Sequence, residues 1–193
     1  YNEGSSRSFT NSLSFRWDVR PGLFVNGTGS VVTSKERTEV FYSPESNVFK
    51  DATNRSEQGS LNVINERYLK YEGRIVVNYA QNFGEDFLLT LHGGADINKE
   101  TTTTDGYTAY GFYKSSLHAP NFAAGFGEGT RPTGSEAIST SVGPFVNANF
   151  IMKNRYFVDG SFRRSGSSKF GDKNRFAPFW SVGAGWNIHN EEF

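Results

Sequence analysis

The three histidines of this sequence are the side chains best suited to metal ligation or acid–base chemistry: His92, His118 and His189. None of them has a partner at metal-ligand spacing, and none pairs with a nearby Asp or Glu in a known order. His92 falls in the polar phase of an alternating run, so facing water is a better interpretation than ligation. Ser and Thr are plentiful, but no Gly-x-Ser-x-Gly elbow leads into a helix. The sequence therefore predicts no enzyme, no metal site and no cofactor.

A glycine-rich run from Gly125 to Thr130 bears a superficial likeness to a phosphate-binding loop. It follows no strand of a βαβ unit, opens no helix and lacks Lys, three features that such loops need. We interpret it as part of a long, mobile loop.

Composition points to an all-β protein without a nucleic-acid partner. The 193 residues include 18 Phe, 9 Tyr and 21 Gly but only 1 Met, and aromatic residues favour strands while glycine favours turns. Cys is absent, which removes disulfides and thiolate chemistry together. The net charge is +0, whereas a nucleic-acid binder more often has a basic face. No apolar run approaches the ~20 residues of a membrane helix. The mean hydropathy of -0.55 is compatible with a membrane barrel, where only every second residue meets lipid.

Side chains alternate with a period of two through seven segments, which predicts extended strands. In the last segment Trp180, Val182, Ala184, Trp186 and Ile188 share one side, and the residues between them are small or polar. We predict strands at about 8–20, 23–35, 67–81, 87–98, 139–152, 156–163 and 180–188. The connections at 21–22, 82–85 and 152–155 are short, and those at 36–66, 99–138 and 165–178 are long. Short turns at one end and long loops at the other are typical of outer-membrane barrels.

The C-terminal fifth resembles the barrel signature of SusC/RagA-type TonB-linked outer-membrane transporters. The matching residues are Arg163 to Gly171, then Asn174 to Phe176, then Phe179 to Ile188, and finally Glu192 and Phe193. The sequence departs from the family pattern at Ser165, usually Asp, and at Trp180, usually Pro. The resemblance implies a segment of a large antiparallel transmembrane β-barrel in a Gram-negative outer membrane, about seven strands of a probable 22. We expect residues 1–193 to be part of that barrel domain, with the plug domain and the remaining strands outside this chain.

What the resemblance implies about function is uptake of glycans or peptides. A SusD-like surface lipoprotein would cover the barrel, and TonB would act through an N-terminal region that this chain does not show. Outer-membrane lipid would surround the wall. Two alternatives stay open: a SusC-like barrel serving as a structural subunit of an outer-membrane assembly, and a soluble glycan-binding β-sandwich.

Two groups of residues are candidates for functional contacts. Charged and polar side chains in the polar phase of the strands should face a water-filled lumen, because a lipid-facing Arg or Lys at mid-bilayer costs about 2–4 kcal/mol. This group comprises Arg16, Asp18, Lys70, Glu72, Arg74, His92, Asp96, Asp159 and Arg163. Aromatic residues of the predicted loops could stack on a ligand or contact a partner, or could instead pack the loops' own small cores. They are Phe41, Tyr42, Phe49, Tyr107, Tyr110, Phe112 and Tyr113.

Further aromatic residues lie near the short connections and predict an interfacial girdle at one rim. They are Trp17, Phe24, Tyr79, Phe87, Phe150, Tyr156 and Trp186.

Overall fold

The computed structural model describes residues 1–170 and 175–191, which form one eight-stranded sheet with short 3₁₀ turns. The strands are β1 (Asn2–Arg20), β2 (Leu23–Tyr42), β3 (Ser60–Phe83), β4 (Phe87–Tyr110), β5 (Gly125–Phe126), β6 (Thr133–Met152), β7 (Tyr156–Ser167) and β8 (Phe176–Trp186). The order in the sheet is β1-β2-β3-β4-β6-β7-β8, and the short β5 pairs with β4. All seven predicted strands are therefore confirmed, with neighbours in chain order. Across the described ranges, no helix has the length and apolarity that crossing a membrane requires.

The strands extend well beyond their predicted limits. β3 and β4 each contain 24 residues, and β2 continues to Tyr42, seven residues past the predicted end at Lys35. In these extensions both sides of the strand carry polar residues, as in Thr101–Thr104 of β4, so the sequence shows no hydrophobic period there. The β-branched Thr side chain nevertheless favours extended backbone. At the other end, Ile188 was wrongly assigned to the last strand, because it begins the 3₁₀ turn Ile188–Asn190.

The three short connections are confirmed as tight turns. Gly22 has φ of +75°, and a Cβ there would lie 2.2 Å from the carbonyl oxygen of Ala80, so only glycine fits without strain. Lys153 and Asn154 both have positive φ, 51° and 55°, as the central residues of a type I′ hairpin turn require.

The chain divides into two compact units. The first comprises residues 1–9, 32–69 and 101–138 and contains the two long connections that follow β2 and β4. It has a small buried core of Phe41, Leu61, Val63, Ala109 and Phe112, against which Tyr107 and Ala123 pack. Phe41 and Phe112 meet edge to face, with ring centroids 5.1 Å apart. The long connections therefore fold onto strand residues through this core.

The second unit comprises residues 10–31, 70–100 and the chain from 139 onward, and it contains the short turns. Its register pairs Phe162 with Trp180 and Val158 with Ala184, so the apolar residues of neighbouring strands lie on one side of the sheet. That side is exposed, with Trp180 and Val182 74% and 73% accessible. A soluble β-sandwich would bury it under a second sheet, whereas the described residues form a single sheet.

Candidate functional site

The polar side of the second unit is held together by charged side chains that reach across strands. Arg163 on β7 makes a bidentate ion pair with Asp96 on β4, with Nη1–Oδ1 and Nη2–Oδ2 distances of 2.8 and 2.9 Å. β6 lies between these strands, and the guanidinium lies over Gly143, where a Cβ would be 2.3 Å from Nη2. The glycine thus makes room for an ion pair between strands that are not neighbours.

A second group of charges joins β2, β3 and β4. The Lys70 Nζ atom lies 2.6 Å from Glu72 Oε1 and 3.7 Å from Glu100 Oε1. Ser30 Oγ donates a hydrogen bond to Glu72 Oε2 at 3.2 Å. The lysine charge is therefore shared between two carboxylates from adjacent strands.

At β1, Arg16 forms an ion pair with Asp18 at 2.8 Å, and its guanidinium lies 3.8 Å from the centre of the Phe24 ring. Phe24 is therefore on the polar side, and its assignment to the aromatic girdle was wrong. Strand alternation explains the error, because Phe24 lies one residue out of phase with the apolar Leu23 and Val25.

The other predicted polar residues also have polar or aromatic contacts. His92 Nδ1 lies 2.7 Å from Asn78 Oδ1, and Asn149 Nδ2 donates to Asp159 Oδ1 at 2.5 Å. The Arg74 guanidinium lies 5.2 Å from the centre of the Phe145 ring. Within each strand the members of the predicted lumen-facing set occupy one phase of the alternation, and their contacts join them across strands.

A groove of about 640 Å³ follows this polar side, lined by residues that include Ser30, Glu72, Arg74, Asp96 and Arg163. Asn98 also lines the groove, and in the described residues its Oδ1 atom is buried without a hydrogen-bond partner. No group of three His, Asp or Glu side chains suited to a metal ion occurs among residues 1–170 and 175–191. The groove offers paired charges and hydroxyl groups, which suits polar contact with another surface.

Most of the aromatic residues predicted to lie in loops lie on strands instead. Phe41, Tyr42, Tyr107 and Tyr110 lie on strands, because β2 and β4 continue into the predicted loops. Phe41 and Phe112 are buried in the core of the first unit, so neither is available to a ligand. Phe49 is half-buried in a 3₁₀ turn, and Tyr113 is 65% exposed beside Arg55. Packing of the loops' own core, the second interpretation of these residues, is the better one for Phe41 and Phe112.

The aromatic residues near the short turns form stacked pairs. Phe87 stacks on Phe150 and Tyr156 on Trp186, with ring centroids 5.8 and 6.2 Å apart. Glu191, just beyond the strands, accepts hydrogen bonds from Trp186 Nε1 at 3.1 Å and from the Tyr156 hydroxyl at 2.9 Å. It also forms an ion pair with Arg155 at 2.8 Å. The bond from Trp186, then that from Tyr156, and the charge of Arg155 lower the pKa of Glu191 below its ordinary value of 4.5.

Sequence reasoning missed Glu191, because its role depends on a 3₁₀ turn that brings it back to the strands and has no hydrophobic period. Of the other histidines, the His118 ring contacts the rings of Tyr1 and Phe41 at a tilt, and His189 lies in that last turn. Part of the signature, residues 171–174, 192 and 193, lies outside the described residues.

Comparisons with known proteins give a consistent result. TonB-dependent receptor P26 of Formosa agariphila is 26% identical over 192 residues, covering 94% of this chain and 18% of the relative. TonB-dependent receptor SusC of Bacteroides thetaiotaomicron is 26% identical over 119 residues, covering 62% of this chain and 11% of the relative. No family model matches. The chain thus spans less than a fifth of the length of these curated relatives.

Solved structures resemble the whole sheet. The RagAB peptide transporter superposes with a TM-score of 0.85 over 98% of this chain and 21% of that chain, at 21% identity. The siderophore receptor PiuA from Acinetobacter baumannii gives a TM-score of 0.53 at 12% identity, covering 94% of this chain and 29% of that chain.

A single antiparallel sheet with one exposed apolar side and one polar side, short turns and long loops defines a segment of an outer-membrane β-barrel. The relatives are TonB-dependent receptors, SusC among them, and the fold is similar to that of the RagAB peptide transporter. The similar proteins are receptors and transporters, which agrees with the prediction that the chain is not an enzyme.

Proposed function

We propose that this chain is part of the barrel wall of a SusC-like TonB-dependent transporter that imports glycans or peptides beneath a SusD-like lipoprotein lid. The observation that carries the proposal is the division of the strands in the second unit. Trp180, Val182 and their apolar neighbours occupy one side, and the paired charges occupy the other. Similarity to TonB-dependent receptors and to a peptide transporter supports the rest.

The two sides would have different roles. The apolar side would contact the acyl chains of outer-membrane lipids, and the polar side would face the interior. Because Arg163, Asp96, Lys70 and Glu72 already pair with one another, the interior wall presents little unbalanced charge. Such a wall suits contact with a plug domain and a wet path for bulky polar substrates better than attraction of small ions. The plug, TonB contact and remaining strands would belong to parts of the protein outside this chain.

The orientation of the wall can be tested with two arginine substitutions on one strand. Val182→Arg places a charge on the proposed lipid side, where the cost is about 2–4 kcal/mol at the bilayer midplane. Ser181→Arg places the same charge on the other side, where Ser181 Oγ now meets Ser161 Oγ at 2.7 Å. We expect Val182→Arg alone to lower the amount of heat-resistant barrel in outer membranes. Equal loss in both variants, or greater loss for Ser181→Arg, would contradict the orientation.

Transport can be tested by growth of a strain that carries the full-length protein, with defined peptides or glycans as the limiting nutrient. We expect growth on one of the two classes to require the protein, TonB and a SusD-like lipoprotein. An assembled barrel whose deletion leaves uptake of both classes unchanged would refute transport and would favour the structural-subunit alternative.

A further inference from the structure

Four cations form a row across three strands of the first unit, which we call the basic row. It consists of Arg7 on β1, Lys35 and Arg37 on β2, and Arg67 on β3, and all four are exposed. Side chains from all three strands line one groove of about 340 Å³. The basic row is therefore a continuous surface and not a set of scattered charges.

Hydrogen bonds show that the basic row lies on one side of the sheet. Arg37 Nη1 donates to Asn65 Oδ1 at 3.3 Å, and Asn65 Nδ2 donates to Asp105 Oδ2 at 2.9 Å. Arg67 Nη2 donates to Asp105 Oδ1 at 2.8 Å. These contacts join β2, β3 and β4 and hold Arg37 and Arg67 on one side, and strand alternation places Lys35 on β2 in the phase of Arg37.

Ion pairs involve two of the four cations of the basic row. Arg37 pairs with Glu39 and Arg67 with Asp105, which leaves four cations facing two anions. In the described part of the chain, Arg7 and Lys35 have no ion pair. The other acidic residues at the groove, Glu36 and Glu66, occupy the alternate phase of their strands. Two of the four cations of the basic row are therefore outside any ion pair of the described residues, in a chain whose net charge is +0.

The neighbours of the basic row indicate what it contacts. Phe9 lies two residues from Arg7 along β1 and is 60% exposed. Leu69 lies two residues from Arg67 along β3 and is half-buried. In the opposite direction on β3 lies Val63, which is fully buried in the loop core. The cations therefore stand between apolar side chains and the folded loops. On a barrel wall, this is the level at which lipid head groups meet the hydrocarbon region.

We propose that the basic row binds the phosphate groups of lipid A, the phosphorylated glycolipid of the outer leaflet, while its acyl chains contact Phe9 and Leu69. The inference rests on the proposed lipid-facing orientation of the sheet. It assigns a lipid partner to the strand ends from which the long loops of the first unit extend. Clustered Lys and Arg side chains next to an apolar surface are the usual recognition elements for anionic lipid head groups. The guanidinium groups of Arg7, Arg37 and Arg67 also suit bidentate contact with phosphate.

The test uses the full-length protein in a non-ionic detergent, titrated with bis-phosphorylated lipid A and observed by native mass spectrometry. The variant Arg7→Gln/Lys35→Gln removes the two cations without ion pairs. Each cation near an anionic lipid contributes about a fivefold factor, so we expect about 25-fold weaker binding. The control Lys50→Gln/Lys114→Gln removes two exposed loop cations outside the row and should bind as the parent does.

Three comparisons decide the outcome. The loss should vanish when lipid A without phosphate groups is used, and millimolar inorganic phosphate should not displace the lipid, since a free anion lacks the acyl contacts. An equal loss in the control variant would overturn the proposal in favour of diffuse charge attraction. Unchanged binding in Arg7→Gln/Lys35→Gln would also overturn it. Heat-resistant migration confirms that each variant folds, and growth on the transported nutrient separates failure of this site from failure of the transport function.

Discussion

The ion pair between Arg163 and Asp96 should depend on Gly143, because any side chain at that position would collide with the Arg163 guanidinium. A methyl group at position 143 would lie 2.3 Å from Arg163 Nη2 and 2.7 Å from its Cζ. Because the guanidinium is the end of a flexible side chain, Gly143→Ala should displace it from Asp96 without breaking the sheet. The expected result is loss of the ion pair with the fold retained.

The magnitude follows from the exposure of the two partners. The Arg163 and Asp96 side chains are 42% and 30% accessible, so solvent screens the pair, while its bidentate geometry strengthens it. We expect a coupling energy of about 1 kcal/mol, the upper end of the range for exposed pairs. Alanine is itself favoured over glycine in a strand by about 0.5–1 kcal/mol, so the single substitution has little net effect on stability. The coupling has to be measured directly.

A double-mutant cycle isolates the coupling. Asp96→Asn should cost about 1 kcal/mol in the parent protein and close to nothing in the Gly143→Ala background. The matched control is Gly160→Ala on β7, where a Cβ meets no atom within 4 Å. In that background Asp96→Asn should retain its full cost. The assay is urea unfolding of the full-length protein in lipid vesicles, followed by tryptophan fluorescence. The reasoning is refuted if Asp96→Asn has the same cost in both glycine backgrounds.

Three further predictions concern other parts of the chain. Phe112→Ala should cost about 3–5 kcal/mol of local stability and make the long loops sensitive to protease, because the ring is fully buried, whereas Tyr113→Ala should change little; equal sensitivity would contradict the loop core. Glu191 has a lowered pKa, so its contacts stabilise the fold above the ordinary pKa of 4.5 and are lost as pH falls through the lower folded value. Trp186 emission should shift in that acid range, and Glu191→Gln should abolish the shift; an unchanged titration would exclude Glu191 as the titrating group. The Phe157 ring covers Gly185, so Phe157→Ala should destabilise the barrel more than the size of the side chain suggests, and Gly185→Ala should displace the ring. If the urea midpoint of Phe157→Ala matched that of Ile151→Ala, this contact would be excluded as a source of stability.

Periodicity predicted the two sides of the strands but not the contacts between strands. Trp180 and Val182 on one side, and Arg163 and Asp159 on the other, follow from a period of two along the chain. The partner of Arg163 is 67 residues away, on a strand that is not its neighbour. Finding it needs the register of β4, β6 and β7 together with the space above Gly143. None of this information is present in a single alternating run.

The loop aromatics show where hydrophobic patterning ceases to be informative. Tyr107 and Phe41 lie on strands whose outer parts carry polar residues on both sides, so the sequence pattern there predicts a loop. The resemblance in the C-terminal fifth agrees with the relatives and the solved structures to which the chain is similar, but it covers only β7, β8 and the turn beyond. It carries no information on how residues 43–59 and 111–132 fold. Burial of Phe112 depends on contacts from β2, β3 and β4, and the sequence gives no local sign of them.

Strand glycines explain how one register of β7 and β8 is selected. A period of two sets which side a residue faces, but a slip of two residues would preserve both sides. The register pairs Phe157 with Gly185 and Phe176 with Gly166, and in each pair the ring lies within 2.4 Å of where the glycine's Cβ would be. A slip by two residues in one direction would place the rings opposite Asn187 and Ser168; in the other direction Phe157 would meet Gly183, but Phe176 would lie opposite Arg164. Aromatic cover therefore turns glycine, which alone weakens a strand, into a feature that fixes the alignment of β7 and β8.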